Sequence, residues 1–218
     1  MVKQLVSLKR KLMFCGPKVI VFDFDGTLVD SNQLKYDAYF QLFHSDDLHK
    51  EIISEVLNEI LEESRYVILR EILKRIDIEK INEDELEDRV QKLAYKYNNI
   101  VVNGTKHCKE KPDATVVLEN LSKRYNLYLN STTPETSLKD IIKHRNWECF
   151  FCDIFGYPND KASVLLEIIR KESIDSGELL VVGDGKSDRD SADKVDCRFF
   201  PVFKDGLLVS LIQNIEKY

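Results

Sequence analysis

The amino-acid sequence predicts an α/β fold, in which a mainly parallel β-sheet has helices on both faces and is interrupted by an all-α insertion. Three observations favour it. Short apolar stretches at residues 19–22, 126–131 and 179–184 each end in, or are directly followed by, hydroxyl or carboxylate side chains, as expected for buried strands that run into polar loops. Helical patterns separate the later stretches, and an alternation of strands and helices is typical of parallel sheets. Between about residues 31 and 102 the pattern is helical throughout.

The first predicted strand, residues 19–22, has the sequence VIVF and leads directly into the acidic loop 23–27, DFDGT. The carboxyl ends of parallel strands lie at the same edge of a sheet, and ligands bind in the crevice outside them. We therefore expect the polar ends of all three strands to form one crevice.

The insertion after the first strand is predicted to contain amphipathic helices with a charged opposite face. Three groups of apolar residues recur at helical spacing: Ile52, Ile53, Val56, Leu57, Ile60 and Leu61; Ile68, Leu69, Ile72, Leu73 and Ile76; and Leu86, Val90, Leu93, Ala94 and Tyr97. Asn82 followed by Glu85 resembles a capping box at the start of the third helix.

Apolar residues at helical spacing predict two more helices, one before the second strand and one between the second and third. These residues are Val116, Val117, Leu118 and Leu121 in one helix, and Val164, Leu165, Ile168 and Ile169 in the other. Such connecting helices would cover the faces of a parallel sheet.

The charge of the chain is distributed unevenly. Of 32 basic and 38 acidic residues, 10 basic and 16 acidic ones lie in residues 35–96, so this third holds the whole formal charge of −6. The mild acidity argues against a nucleic-acid partner, and no apolar run approaches the roughly 18–20 residues of a membrane span.

Residues 1–17 show no apolar stretch with a cleavage site, so we expect a cytoplasmic protein. The five scattered cysteines do not indicate a disulfide framework, and the pair Cys149 and Cys152 is expected to be buried.

The loop after the first strand carries the strongest indication of chemistry. Two carboxylates two residues apart, Asp23 and Asp25, can divide the work of one reaction, since one can act ionised as nucleophile and metal ligand and the other protonated as general acid. Gly26 allows a tight turn behind them. A calcium-binding EF-hand loop also begins with this pattern, but it needs a preceding helix and a Glu at loop position 12, where Leu34 stands.

The third predicted strand ends in a second acidic pair, Asp184 and Asp188. Together with the first pair, these residues offer three or four hard oxygen ligands, which suit Mg²⁺. The alternative is an acidic helix N-terminus, because Asp is favoured there in any case.

Taken together, Asp23 and Asp25, Ser131, Lys161, and Asp184 and Asp188 occur in the order and approximate spacing of the haloacid dehalogenase-like superfamily. The resemblance implies a Rossmann-like three-layer catalytic core at residues 1–30 and 103–218, with 1–17 as an N-terminal extension. It implies that residues 31–102 are a helical cap. Among the branches of the superfamily, the sequence most resembles the phosphoglycolate phosphatase-like one.

The resemblance also implies the roles of these residues. Asp23 would attack phosphorus and become an aspartyl phosphate, while Asp25 would protonate the leaving oxygen and then activate water. Asp184 and Asp188 would hold Mg²⁺ with Asp23 and the backbone carbonyl of Asp25. Ser131 would bind a phosphoryl oxygen, although it could also cap a helix that begins near Pro134. Lys161 would offset negative charge, although a lone lysine is more often a solvated surface residue.

The expected activity is therefore Mg²⁺-dependent hydrolysis of a small-molecule phosphate monoester by a monomer or homodimer. The second aspartate, Asp25, favours phosphoryl transfer, since halide departure needs no proton. Residues 64–66, Ser-Arg-Tyr, are similar to a cap segment of sugar-phosphate mutases, in which the Arg meets a distal anion; Arg65 could equally pair with Glu62 or Glu63. Those mutases usually have a histidine where Lys35 stands, which disfavours but does not exclude a β-phosphoglucomutase-type activity. A non-catalytic binding or regulatory protein on the same fold is the third possibility.

Overall fold

The chain folds into two units, of which the first contains a β-sheet and the second is helical. The computed structural model describes residues 16–43, 47–61, 63–76, 82–203 and 208–215. The first unit contains the described residues up to Leu28 and from Glu110 onwards, and the second consists of residues 29–109. The predicted cap segment, 31–102, lies within the second unit.

Within the described residues, five strands form one sheet in the order β3-β2-β1-β4-β5, and every neighbouring pair is parallel. The strands are β1 (Val19–Phe22), β2 (Asn126–Pro134), β3 (Asp153–Tyr157), β4 (Leu179–Gly183) and β5 (Arg198–Pro201). The last residue of β1, Phe22, pairs with Leu129 of β2 and Val182 of β4. This register brings the polar ends of the three predicted strands to the same edge of the sheet.

Nine helices accompany the sheet in the described residues. In the second unit they are α1 (Asn32–Leu42), α2 (Asp47–Ile60), α3 (Arg65–Ile76) and α4 (Glu83–Thr105). In the first unit they are α5 (Ala114–Leu121), α6 (Glu135–His144), α7 (Lys161–Glu172), α8 (Lys186–Val195) and α9 (Ser210–Asn214). None of these helices combines the length and the apolar character needed to cross a membrane.

Both faces of the sheet are covered. Val19 and Val21 of β1 belong to a buried cluster with residues of α7 and α8, whereas the alternate residues Ile20 and Phe22 are fully buried on the opposite face. Parallel strands buried on both faces read as continuous apolar runs, which explains why β1 shows no alternation. The predicted α/β fold with a mainly parallel sheet is confirmed.

The second unit has its own hydrophobic core, made from the three predicted apolar stripes. The stripes supply its buried residues Ile53, Val56, Leu57, Ile68, Leu69, Ile72, Leu73, Leu86, Val90, Ala94 and Tyr97, and Ala38, Tyr39 and Val101 complete the cluster. Asn82 caps α4 by accepting a hydrogen bond from the backbone N–H of Glu85 at 2.8 Å, which is one half of the predicted capping box. Whether this unit acts as a cap stays a prediction.

Two local expectations are wrong. Strand β2 continues to Pro134, three residues beyond its predicted end, so Ser131 lies inside the strand and does not cap α6. Cys149 and Cys152 are exposed, because the chain makes a single turn of 3-10 helix at the surface between α6 and β3.

Candidate active site

The acidic loop begins where β1 ends, and the sheet fixes its first residue. The backbone N–H of Asp23 donates to the carbonyl of Val182 in β4 at 2.8 Å, which extends the parallel pairing by one residue. Gly26 adopts a φ of 80°, a conformation that glycine takes at little cost. The carboxylates of Asp23 and Asp25 are both buried, each 7% exposed.

Lys161 joins two of the predicted acidic residues. Its ammonium donates to Asp23 Oδ1 at 2.7 Å and to Asp188 Oδ1 at 2.5 Å, and its side chain is only 10% exposed. Charged groups this deeply buried persist when they are paired. The interpretation of Lys161 as a solvated surface residue is therefore wrong.

Asp184 is exposed, and Thr27 ties it to the acidic loop. The Thr27 hydroxyl accepts a hydrogen bond from the backbone N–H of Asp184 at 3.1 Å. The same hydroxyl lies 3.2 Å from Asp184 Oδ1 and 3.4 Å from Asp23 Oδ2, within donating distance of both. Thr27 thus connects the ends of β1 and β4.

Among the described residues, one group of carboxylates has the geometry of a metal site. Oxygen atoms of Asp23, Asp184 and Asp188 lie within 4.8 Å of one another. With Lys161 the four side chains carry a formal charge of −2, which a divalent cation would cancel. Hard carboxylate oxygens with one exposed ligand fit Mg²⁺, because that ion keeps several of its waters. The donor set therefore fits the predicted ion.

Burial and neighbouring charges shift the pKa values of Asp188 and Lys161. Burial, followed by the negative charge of Asp23, raises the pKa of the Asp188 carboxyl above its usual range. Burial alone would lower the pKa of Lys161, but the carboxylates of Asp23 and Asp188 outweigh it and hold that pKa above its usual value. Lys161 is therefore a permanent cation in the site.

Asp25 lies outside the cluster of Asp23, Asp184 and Asp188 and has a different partner. Its Oδ2 accepts a hydrogen bond from the hydroxyl of Thr133 in β2 at 2.8 Å. The hydroxyl oxygen of Ser131 in turn accepts the backbone N–H of Thr133 at 3.1 Å. Ser131 and Asp25 are thus linked through Thr133, and all three are buried.

Arg65 is the first residue of α3, in the second unit. Its guanidinium donates to the side-chain oxygen of Asn98 and lies 5.9 Å from the ring centre of Tyr97. Glu62, one of its two alternative partners, lies outside the described residues. A role for Arg65 in binding a substrate anion stays a prediction.

Of the predicted residues, the structure brings Asp23, Lys161, Asp184 and Asp188 together directly. Asp25 and Ser131 are linked to each other through Thr133. Two contributors were not predicted, Thr27 and Thr133. Thr27 belongs to the same DFDGT loop as the aspartates, and Thr133 follows Ser131 by two residues, the spacing that puts side chains on one face of a strand. Both were therefore detectable from position.

Comparisons with known proteins agree with this geometry. The model of the haloacid dehalogenase-like hydrolase family matches residues 20–202. No curated protein sequence matches the chain.

Three solved structures resemble the chain along almost its whole length. A haloacid dehalogenase-like family hydrolase from Streptococcus pneumoniae has 21% sequence identity and a TM-score of 0.65, with 90% of each chain covered. A Bacillus subtilis protein assigned as a HAD-hydrolase, solved with bound magnesium, has 16% identity and a TM-score of 0.66, covering 92% of this chain and 99% of its own. A Haemophilus somnus protein described as a predicted phosphoglycolate phosphatase has 18% identity and a TM-score of 0.63, covering 89% of this chain and 90% of its own.

At these identities the structural similarity establishes the fold and leaves the substrate open. The family match spans β1 to the residue after β5, and so includes every element of the carboxylate site. The chain therefore belongs to the haloacid dehalogenase-like hydrolase family.

Proposed function

We propose that the protein is a Mg²⁺-dependent phosphatase that hydrolyses a small-molecule phosphate monoester through an aspartyl phosphate on Asp23. The observation that carries this proposal is the separation of two carboxylates on one loop. Asp23 belongs to the cluster with Asp184 and Asp188 and binds Lys161, whereas Asp25 binds the hydroxyl of Thr133. Two environments for two carboxyl groups are what a nucleophile and a general acid require.

Asp23 has the features of a nucleophile. Its Oδ1 accepts a hydrogen bond from the ammonium of Lys161 at 2.7 Å, which orients the carboxylate. In the first step an Asp23 oxygen forms a bond to phosphorus as the bond to the leaving oxygen breaks, and Asp25 gives its proton to that oxygen. In the second step Asp25 takes a proton from water, the water oxygen bonds to phosphorus, and the bond to Asp23 breaks to release inorganic phosphate. Proton transfer of this kind contributes about 10²–10⁴-fold in rate.

The remaining groups fix the reacting atoms. Asp23, Asp184 and Asp188 would hold Mg²⁺, together with the backbone carbonyl of Asp25. When bound, the ion would neutralise part of the charge on the phosphoryl oxygens. Lys161 supplies a second positive charge beside Asp23, where negative charge develops. Ser131, which lies within β2, would bind a phosphoryl oxygen.

The presence of Asp25 favours hydrolysis of a phosphate over removal of a halide, which needs no protonated leaving group. A phosphomutase would use the same carboxylates, and Arg65 could serve it by binding a distal phosphate. Lys35 stands in α1 where those mutases usually have a histidine, so hydrolysis is the better supported activity.

The test is release of inorganic phosphate from an aryl phosphate and from a broad panel of metabolite phosphates, with Mg²⁺ or with EDTA. We expect turnover that EDTA abolishes and that Asp23→Asn reduces by at least about 10⁴-fold. Asp190→Asn is the matched control, because Asp190 is an exposed aspartate on α8. Full activity in Asp23→Asn would exclude the mechanism. Isomerisation of a sugar phosphate without phosphate release would indicate a mutase, and tight partner binding without any turnover a regulatory protein.

A further inference from the structure

The turn of residues 158–160 connects β3 to α7 and directly precedes Lys161, and Glu135 binds Asn159 in this turn. Glu135 is the first residue of α6, directly after β2. Its Oε2 accepts hydrogen bonds from the side-chain amide of Asn159 at 2.8 Å and from the backbone N–H of Gly156 at 3.3 Å. One carboxylate oxygen therefore links the start of α6 to the turn and to the end of β3.

The turn is also hydrogen-bonded to the end of β3. Both the backbone N–H and the side-chain amide of Asn159 donate to the carbonyl of Gly156, at 3.0 and 2.9 Å. Gly156 packs so closely that a Cβ atom there would lie 2.5 Å from the carbonyl oxygen of Thr133 and 2.5 Å from Cα of Glu135. The end of β3 is thus held against the end of β2, the segment that also carries Ser131 and Thr133.

Lys161 follows this turn immediately. Asp160 caps α7 by accepting the backbone N–H of Ser163 at 2.9 Å, and Lys161 is the first helical residue. The carbonyl of Lys161 accepts the side-chain amide of Asn130 in β2 at 3.1 Å. The position of the Lys161 ammonium between Asp23 and Asp188 therefore depends on how the turn sits against β2 and α6.

We propose that Glu135 is a positioning residue, which sets the place of the Lys161 ammonium by binding Asn159 and Gly156. The proposal rests on the proposed function, in which Lys161 stabilises charge at Asp23. The other oxygen of Glu135 accepts from Lys139 one helical turn along α6, at 2.6 Å. That ion pair lies on the helix itself and provides a built-in control.

The experiment measures kcat and KM for an aryl phosphate in four variants of the full chain. Glu135→Ala should lower kcat by about ten- to a hundredfold with a smaller change in KM, because a displacement near 1 Å at a catalytic group can cost up to about 10²-fold. Glu135→Gln retains an acceptor oxygen and should restore most of the activity. Lys139→Ala removes only the ion pair and should match the wild type. Asn159→Ala should reproduce the loss seen in Glu135→Ala.

A double-mutant cycle separates positioning from a merely structural role. If Glu135 acts through Lys161, then Glu135→Ala combined with Lys161→Ala should be no slower than Lys161→Ala alone. Hydrogen exchange of the amides in residues 157–163 should accelerate in Glu135→Ala and remain unchanged in Lys139→Ala.

Additive losses in the cycle, wild-type kcat in Glu135→Ala, or unchanged exchange of the turn would each overturn the proposal. Failure of the proposed function gives a different result, a wild-type protein without turnover. In that case the role in catalysis falls with it, whereas accelerated exchange would still show that Glu135 holds the turn.

Discussion

Replacement of Lys161 by methionine tests the electrostatics of the site most sharply. Methionine preserves most of the length and apolar volume of lysine but removes the ammonium that donates to Asp23 and Asp188. The lysine side chain is 10% exposed, and those of the two aspartates are 8% and 3% exposed, so water can screen the change only weakly. Breaking a buried ion pair in this way costs about 3–5 kcal/mol of stability.

For a chain of this size, each kcal/mol corresponds to about 2–4 °C in Tm. Lys161→Met in EDTA should therefore melt about 6–20 °C below the wild type. Lys171→Met is the control, since Lys171 pairs with Asp153 at 3.2 Å at the surface, where its side chain is 47% exposed. An exposed pair contributes about 0–1 kcal/mol, so Lys171→Met should melt within about 4 °C of the wild type.

Magnesium should reverse part of the loss in Lys161→Met. The metal ion would bind the carboxylates that the ammonium already contacts, and the two positive charges would repel each other. The variant should therefore bind Mg²⁺ more tightly than the wild type while losing the proposed phosphatase activity. Thermal denaturation with increasing Mg²⁺ measures this directly. A variant as stable as the wild type in EDTA, or one that gains less from Mg²⁺, would refute the electrostatic reasoning.

Three more predictions concern other groups. Mg²⁺ at about 100 times its Kd should stabilise the wild type by about 2.7 kcal/mol, and Asp184→Asn should shift this titration to higher Mg²⁺ in thermal denaturation. The raised pKa of Asp188, caused by burial and then by Asp23, means that the folded state binds this proton more tightly than the unfolded state. In EDTA, the stabilisation that this proton gives is complete below the unfolded-state pKa of about 4 and is lost as the pH rises through the folded-state pKa. Asp188→Asn should therefore reduce the decrease in the free energy of unfolding with rising pH, measured by urea denaturation. Burial, and then Asp196, raises the pKa of Cys197 to about 11, so Cys197 should react with an aromatic disulfide at neutral pH more slowly than exposed Cys149; mass mapping that finds Cys197 labelled before Cys149 would contradict this.

The sheet core was predictable because its local and long-range preferences agree. The VIVF run of β1 is typical of a strand that is buried on both faces of a parallel sheet, and β1 pairs in parallel with β2 and β4. The apolar stripes of α2, α3 and α4 repeat at helical spacing and form the buried core of the second unit. Periodicity is a physical requirement of burial, so it can be read from the residues alone.

Elements with weaker patterns were not predicted. Strands β3 and β5 are segments of five and four residues at the two edges of the sheet. Two residues of β3 and one of β5 are buried, against all four of β1. Helix α1 has only two buried residues, Ala38 and Tyr39, too few to make a stripe. The exposure of Cys149 depends on a surface turn whose position no local pattern specifies.

In the candidate site, too, some residues could be predicted from the sequence and others could not. The aspartates were found because they directly follow predicted strands and occur in the order and approximate spacing of the haloacid dehalogenase-like superfamily. The contacts that orient them were not, because they join residues far apart in the sequence: Thr133 lies 108 residues from Asp25, and Lys161 lies 138 residues from Asp23. No sequence pattern marks Glu135, because the turn that it binds lies beside it only in the folded chain.

The most direct measurement of the central claim is chemical trapping of the intermediate on Asp23. Acid quenching of the enzyme during turnover of a phosphate monoester, followed by borohydride reduction and peptide mass spectrometry, converts a phosphorylated aspartate into homoserine. We expect homoserine at position 23 and an unmodified residue at Asp25. Turnover with Asp23 unmodified, or trapping at another residue, would contradict the proposal that Asp23 attacks phosphorus.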